Sequence, residues 1–197
     1  MIKSFASILL ASAFTLALMD SARACDALKN IDTADLIRFL AKDKSKAIST
    51  NPNCVTYAIM RLGDAKTIEA APVIADYLDY KRPFTPEEEE SIRLHFSMPL
   101  REFYPAVTAL FQIGKPALPA LSNAICKPNI SSLALDKAVF TTMLIFREDP
   151  TAGIRFLKSN AQASTDPVIS ARINQAAETA IRWCGSDRRD ECLAALK

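Results

Sequence analysis

Apolar residues recur along this chain at the spacing of one face of an α-helix. Within residues 53–62, Val55, Ala58, Ile59 and Leu62 stand at positions i, i+3, i+4 and i+7. This spacing places the four side chains on one side of a helix and predicts that this side is buried. The chain contains no sustained alternation of apolar and polar residues, the pattern that would predict a strand. The pattern therefore predicts an all-α protein.

The same spacing predicts a series of helices, and several of them carry start signals. Asp32 or Thr33 caps the first helix, and Thr85 with Glu88 forms a capping box. Pro150 and Pro167 each open a helix. The expected helices cover about 33–42, 53–62, 65–80, 86–96, 103–113, 115–126, 135–146, 150–160, 167–183 and 187–196.

Glycine is scarce, and two of the four glycines follow apolar helical segments. Gly63 and Gly114 are predicted to end their helices at corners with positive φ, where a Cβ would clash. Pro119 then stands near the start of the next helix, where its missing N–H has no partner to lose. Pro72 lies deeper in its segment, so that helix is expected to start late or bend at Ala71.

Two stretches of the chain share one pattern. "AIMRLG" at 58–63 matches "ALFQIG" at 109–114, and each is followed by a segment that carries proline. A weaker third unit turns its corner near 149. The interval from the first glycine corner to the second exceeds a normal helical repeat by about one helix. The extra length predicts an inserted helical segment at about 81–102.

The string "RLGDAKTIEAAPVIADYL" at 61–78 resembles the HEAT-like repeat, particularly the short type of phycobilisome-lyase-like proteins. "QIGKPALPAL" at 112–121 resembles the same corner. The resemblance implies stacked antiparallel helix pairs, often with a concave face lined by the second helices. Helix pairs of this kind bury their apolar faces by stacking on their neighbours. The expected fold is a short HEAT-like α-solenoid of about four antiparallel helix pairs with one inserted helix, forming a single domain over 25–197.

The N-terminal residues have the features of a secretory signal peptide. Lys3 precedes an uncharged apolar run over 5–19, and Ala22-Arg-Ala24 is a cleavage signal. Residues 1–24 are therefore expected to be removed after Ala24, and the mature chain is expected to be secreted or periplasmic, without a membrane span. Acylation of Cys25 as a lipoprotein is the alternative. Arg23 disfavours it, because a small or branched apolar residue is wanted there.

Five cysteines remain after cleavage, and export permits disulfide bonds. An odd number leaves at least one thiol unpaired within the monomer. The favoured pair is Cys184–Cys192. Gly185 is expected to turn the chain in the left-handed conformation after a helix end, and Ser186 or Asp187 to cap the next helix.

The second favoured pair is Cys25–Cys54, which requires a neighbouring segment to run back along the first helix. Other pairings stay open. In this scheme Cys126 is the free thiol and is expected to be buried.

Charge and residue types weigh against several classes of function. The chain has 24 basic and 22 acidic residues without a basic run, which argues against a nucleic-acid partner. His95 is the only histidine, so any acid–base or nucleophilic site would depend on it, and no nucleophile motif accompanies it. The acidic run at 87–90 is interpreted as capping and a solvated face. We expect no catalytic residue, no metal site and no cofactor.

Aromatic residues cluster in and around the predicted insertion. They either pack the inserted helix onto the array or form a binding lip, because connecting segments often carry function on a rigid scaffold. The candidate partner-binding residues are Tyr80, Phe84, His95, Phe96 and Arg101.

The leading hypothesis is an exported, non-catalytic protein-binding or scaffolding module whose protein partner is unknown. The first alternative is an inhibitor or immunity-type protein that blocks an exported enzyme. The second is a hydrolase or lyase with an unrecognised site.

Overall fold

A computed structural model describes residues 25–26, 28–42, 44–86, 88–90 and 103–196. The chain divides into two compact units, one ending at Ala58 and one beginning at Ile59. The described residues form helices, turns and irregular segments and contain no strand, which confirms the all-α class. The predicted signal peptide lies outside the described residues, as does most of the predicted insertion.

Ten α-helices have defined bounds among the described residues. They are α1 (Thr33–Ala41), α2 (Lys44–Thr50), α3 (Pro52–Asp64), α4 (Ala71–Ala75), α5 (Pro105–Ile113), α6 (Leu118–Ile125), α7 (Ser132–Ile145), α8 (Pro150–Ala163), α9 (Pro167–Ala180) and α10 (Arg189–Ala195). Short 3₁₀ segments cover Ile68–Ala70, Lys115–Ala117 and Ile181–Trp183.

In the first unit, α1 begins as its sequence predicts. Asp32 is its N-cap and accepts a hydrogen bond from the Asp35 N–H at 2.8 Å. Leu36 and Leu40 are buried. Helix α2, which packs against α1, was not predicted from the sequence. It contains no buried residue, so it has no apolar stripe by which it could be recognised.

In the second unit, the core lies along α7. This helix packs on α5, α6, α8 and α9, and its buried residues include Leu135, Lys137, Thr141 and Met143. They do not form a single stripe, because neighbours cover the helix on several sides. Helix α4 packs on α5 and α6, and α8 packs on α9 and α10.

The corner at Gly114 has the predicted conformation. Gly114 ends α5 with a φ of 77°. A 3₁₀ turn then leads into α6, where Pro119 is the second residue. The same order follows α3, since a 3₁₀ turn leads into α4 at Ala71 and Pro72 is its second residue. The late start expected from Pro72 is confirmed.

The predicted role of Gly63 is wrong. Gly63 lies inside α3, and the positive φ beyond this helix belongs to Lys66, at 50°. Gly63 is instead a point of close approach, because a Cβ there would lie 2.5 Å from the Ala109 Cα. Asp64 follows Gly63 directly, and its carboxylate was expected from the sequence to cap the next helix; that prediction is also wrong. Asp64 is the last residue of α3 and accepts a hydrogen bond from the Gln112 side chain at 2.7 Å.

The predicted left-handed Gly185 is also wrong, since Gly114 is the only glycine with positive φ in the described part of the chain. The corner is formed by Cys184, whose extended backbone (φ −80°, ψ 121°) ends the preceding 3₁₀ segment. Helix α10 begins at Arg189 without a side-chain cap bond. Neither Ser186 nor Asp187 therefore caps it.

Candidate functional site

A groove with a volume of about 420 Å³ lies between α7 and α9. We call it the α7–α9 groove. Its apolar lining comes from aliphatic side chains on both helices and from two aromatic rings, and its polar lining from six further residues. The groove is lined by Ser132, Leu135, Asp136, Val139, Phe140, Arg172, Gln175, Ala176, Thr179, Ala180, Arg182 and Trp183.

The two helices leave this space open because small side chains stand on the α9 side. Ala176 and Ala180 line the groove with single methyl groups. Ile169 and Ile173, earlier in the same helix, are buried in the core. Their burial fixes the orientation of α9, in which the two alanines face the groove. The groove is therefore a gap between packed helices and not a mobile loop.

Phe140 and Trp183 form an aromatic wall. Their ring centroids lie 5.2 Å apart, and the rings meet at 67°, in the edge-to-face arrangement that aromatic pairs favour. Both side chains are only partly buried. Trp183 directly precedes Cys184, which is bonded to Cys192 of α10. This disulfide holds the backbone beside the indole in place.

The charges along the groove are predominantly positive. The Arg172 guanidinium donates through both terminal nitrogens to the Ile130 carbonyl oxygen at 3.3 Å. Arg182 is exposed. Within the described ranges, no carboxylate forms an ion pair with either arginine. Asp136 is already paired, since its carboxylate lies 2.8 Å from the Nζ of the buried Lys137. The groove thus presents two guanidinium groups to a ligand.

The structure places the sequence-predicted partner-binding residues in different settings. Tyr80 is buried, and its ring packs edge-on against Tyr77 at 6.1 Å. Phe84 is half-buried and packs against the Phe103 ring at 4.9 Å. His95, Phe96 and Arg101 lie outside the described residues. None of the described candidates lines the α7–α9 groove.

Residues at the start of the predicted insertion are bound to Phe103, which directly follows it. The Arg82 N–H donates to the Phe103 carbonyl oxygen at 3.0 Å. The Arg82 guanidinium lies 4.4 Å from the centre of the Phe84 ring, a cation–π contact. We call Arg82, Phe84 and Phe103 the base of the insertion. The hydrogen bond therefore joins Arg82 to Phe103, which directly follows the predicted insertion.

The capping box after this base is present. The Thr85 N–H donates to the Glu88 carboxylate at 3.0 Å, and the Glu88 N–H donates to the Thr85 hydroxyl at 3.2 Å. Arg82 adds two bonds to the same carboxylate, at 2.9 and 3.0 Å. The Arg82 guanidinium and the Thr85 N–H hold the pKa of Glu88 below its ordinary value. Within the acidic run, Glu88 therefore acts as a helix cap.

Both favoured cysteine pairs are present in the structure. The Cα atoms are 5.2 Å apart in Cys25–Cys54 and 6.6 Å apart in Cys184–Cys192. Cys126 is the free cysteine and is half-buried. Its burial raises the pKa of its thiol.

The described residues contain neither a metal-binding cluster nor a membrane-spanning helix. No group of three or more His, Cys, Asp and Glu side chains in these ranges is arranged to hold a metal ion. Among the described helices, none combines the length and apolar character that crossing a membrane requires.

The residues of the α7–α9 groove were not predicted from the sequence. Phe140 stands outside the apolar stripe marked by Leu135, Val139 and Thr142, and Trp183 is the only tryptophan in the chain. A large aromatic residue outside the predicted apolar stripe of its helix, such as Phe140, was the only sequence signal that pointed to the groove. The positions of Arg172 and Arg182 in a groove depend on how α9 packs on α7, and no local pattern contains that information.

Comparisons with models of protein families, with curated proteins and with solved structures each found no match.

Proposed function

We propose that this chain is an exported, non-catalytic protein-binding module, built as a short HEAT-like α-solenoid. The observation that carries the proposal is the α7–α9 groove, which combines aliphatic side chains, the Phe140–Trp183 aromatic pair and two arginines. Aromatic and arginine side chains are enriched where proteins bind one another.

The order of helix contacts supports the solenoid. In one layer, α3 meets α5 where Gly63 approaches Ala109, α5 packs on α7, and α7 packs on α9. In the other layer, α4 packs on α6, α6 meets α8 through the Ser122–Asn160 hydrogen bond, and α8 packs on α10. Two layers in which each helix contacts the next are expected of stacked helix pairs.

The two disulfides support export. Disulfides persist in oxidising compartments and are rare in the cytosol. They agree with the signal peptide expected at residues 1–24.

The groove lies on the first helices of the proposed pairs, α7 and α9, and not on the second helices. The HEAT-like resemblance implies binding on the second helices. We place the binding face at the groove because it combines an open volume with half-buried aromatic rings and two arginines.

Co-purification from the exported fraction tests the proposal. Ala176→Phe fills the groove, and Ala163→Phe places the same ring at an exposed alanine, the last residue of α8, as a matched control. We expect the wild type and the control to retain a common protein that Ala176→Phe loses, with all three equally folded by circular dichroism. Retention of the same proteins by Ala176→Phe would contradict binding at the groove.

A second candidate, an inhibitor or immunity-type protein, is favoured by the base of the insertion. The Arg82–Phe103 hydrogen bond joins the start of the predicted insertion to the residue that follows it, and an inhibitor would use the segment between them to block its enzyme. Replacing 85–102 by a short Gly-Ser linker keeps this base. Loss of the co-purified protein in that variant, with Ala176→Phe unaffected, would favour the inhibitor over the groove.

A further inference from the structure

We propose that the α7–α9 groove recognises an acidic peptide segment that carries one large apolar side chain. This inference rests on the proposed protein-binding function and names the chemistry of the partner.

The apolar part of the groove suits one large side chain of a ligand. Leu135, Val139 and Ala176 form an aliphatic surface, and the Phe140 and Trp183 rings stand beside it. The volume of about 420 Å³ lies within the range of clefts that hold ligands in proteins. A leucine, isoleucine or phenylalanine side chain would cover these surfaces and displace water from them.

The charged part of the groove selects acidic ligands. Arg172 and Arg182 have no carboxylate partner among the described residues, whereas Asp136 is neutralised by the buried Lys137. A guanidinium carries five N–H donors, so the two bonds from Arg172 to Ile130 leave donors available. Arginine binds carboxylates through paired hydrogen bonds. The surplus positive charge is therefore complementary to aspartate or glutamate.

A polar side chain that lines the groove favours a peptide over other anions. Gln175 is exposed on the groove, and its amide can both donate to and accept from a peptide backbone. A phosphate or a nucleic acid would bind the arginines but would leave the aliphatic surface of Leu135, Val139 and Ala176 exposed to water. An acidic peptide with an apolar side chain uses all three kinds of surface.

The single tryptophan of the chain provides a direct measurement, because Trp183 lines the groove. The probes are three pools of short peptides in a Gly-Ser background. One has a central Leu, Ile or Phe flanked by glutamates, the second replaces the glutamates by lysines, and the third replaces the apolar residue by serine. We expect the first pool to change the Trp183 fluorescence and the other two to bind at least about tenfold more weakly. The affinity is expected to fall as salt is added.

Charge reversal makes the test specific. Arg182→Glu is expected to weaken binding of the acidic pool about tenfold and to improve binding of the lysine pool. Arg155→Glu reverses an exposed charge on α8, outside the groove, and is expected to leave both affinities unchanged. Unchanged circular dichroism of both variants shows that they fold.

Several results would overturn the inference. These are equal binding of the lysine pool, an unchanged affinity of Arg182→Glu for the acidic pool, or competition by inorganic phosphate at concentrations that match the peptide. If no pool binds while Ala176→Phe still loses the co-purified protein, the peptide chemistry is wrong and the protein-binding function stands. If Ala176→Phe retains every protein yet the acidic pool binds selectively, the protein-binding function fails and the peptide chemistry stands.

Discussion

Replacing Gly63 by alanine tests the packing of α3 against α5. An ideal Cβ at this position would lie 2.5 Å from the Ala109 Cα and 2.6 Å from the Ala109 Cβ. Carbon atoms in contact are separated by about 3.5–4.0 Å. The two helices would therefore have to move apart by roughly 1 Å, and the nearest obstacle is backbone that cannot rotate away.

Two opposing effects set the magnitude of the change. Alanine favours a helix over glycine by about 1 kcal/mol, so an unobstructed substitution in α3 would stabilise the protein. Overpacking in a well-packed core costs typically about 1–3 kcal/mol and occasionally more. Because this contact is closer than any tolerated Cβ contact and involves backbone, we place the cost at the upper end. The net loss of unfolding free energy is then about 2 kcal/mol.

Urea unfolding followed by circular dichroism measures this loss, and two other glycines provide controls. In Gly153→Ala the new Cβ meets the flexible Met143 side chain, with Sδ at 2.9 Å, so we expect a smaller effect. In Gly114→Ala the space is open but φ is 77°, and the strained backbone costs about 1–3 kcal/mol.

A double-mutant cycle with Ala109→Gly separates packing from backbone strain. Ala109→Gly removes the Ala109 Cβ, which would lie 2.6 Å from the new methyl group at position 63. It leaves the Ala109 Cα, which would lie 2.5 Å from that methyl group. We therefore expect partial rescue of Gly63→Ala, with a coupling energy of about 0.5 kcal/mol or more, and no rescue of Gly114→Ala. A Gly63→Ala variant as stable as the wild type, or a coupling energy of zero, would refute the close approach of α3 and α5.

Three further predictions concern other contacts. Because the pKa of Glu88 is lowered, its stabilisation of the first helical turn is complete above the usual glutamate range and is lost as the pH falls through its folded-state pKa. Amide exchange at Thr85, whose N–H donates to the Glu88 carboxylate, should show this loss. Glu88→Gln should abolish the pH dependence, and Arg82→Ala should reduce it, because the Thr85 N–H still holds the carboxylate. Replacing both cysteines of Cys25–Cys54 by serine should lower the free energy of unfolding by about 3.5 kcal/mol, from the 29-residue separation, and an unchanged urea midpoint would contradict this. Without reductant, Cys126 should be the only reactive thiol. Its raised pKa should make alkylation of the folded protein slower than alkylation of the urea-unfolded chain. Equal alkylation rates in the two states would count against burial of Cys126.

Much of the secondary structure could be predicted because its signals are local. Asp149 and Asp166 accept hydrogen bonds from the first N–H groups of α8 and α9, and each stands directly before a proline. The capping box at Thr85 is likewise contained within four residues. Such contacts depend only on neighbouring residues, so the residue order is enough to recognise them.

The two glycine errors show where local reasoning stops. Gly63 and Gly114 follow similar strings, yet only Gly114 has a positive φ. The reason for Gly63 lies in Ala109, which is distant in the chain and adjacent in space. A pattern of residues shows that a side chain is absent, but not whether the backbone turns there or another helix occupies the space.

The order of residues alone was enough to predict the helical class and most helix starts, because caps, proline positions and apolar spacing act over a few residues. It also favoured the two cysteine pairs that are present in the structure. The packing of the helices was needed to show that Gly63 is a close contact, and that Phe140 and Trp183 meet beside Arg172 and Arg182. Those aromatic and arginine residues come together because α9 packs on α7 with small alanines between them. Packing of that kind joins residues far apart in the chain, and no local pattern records it.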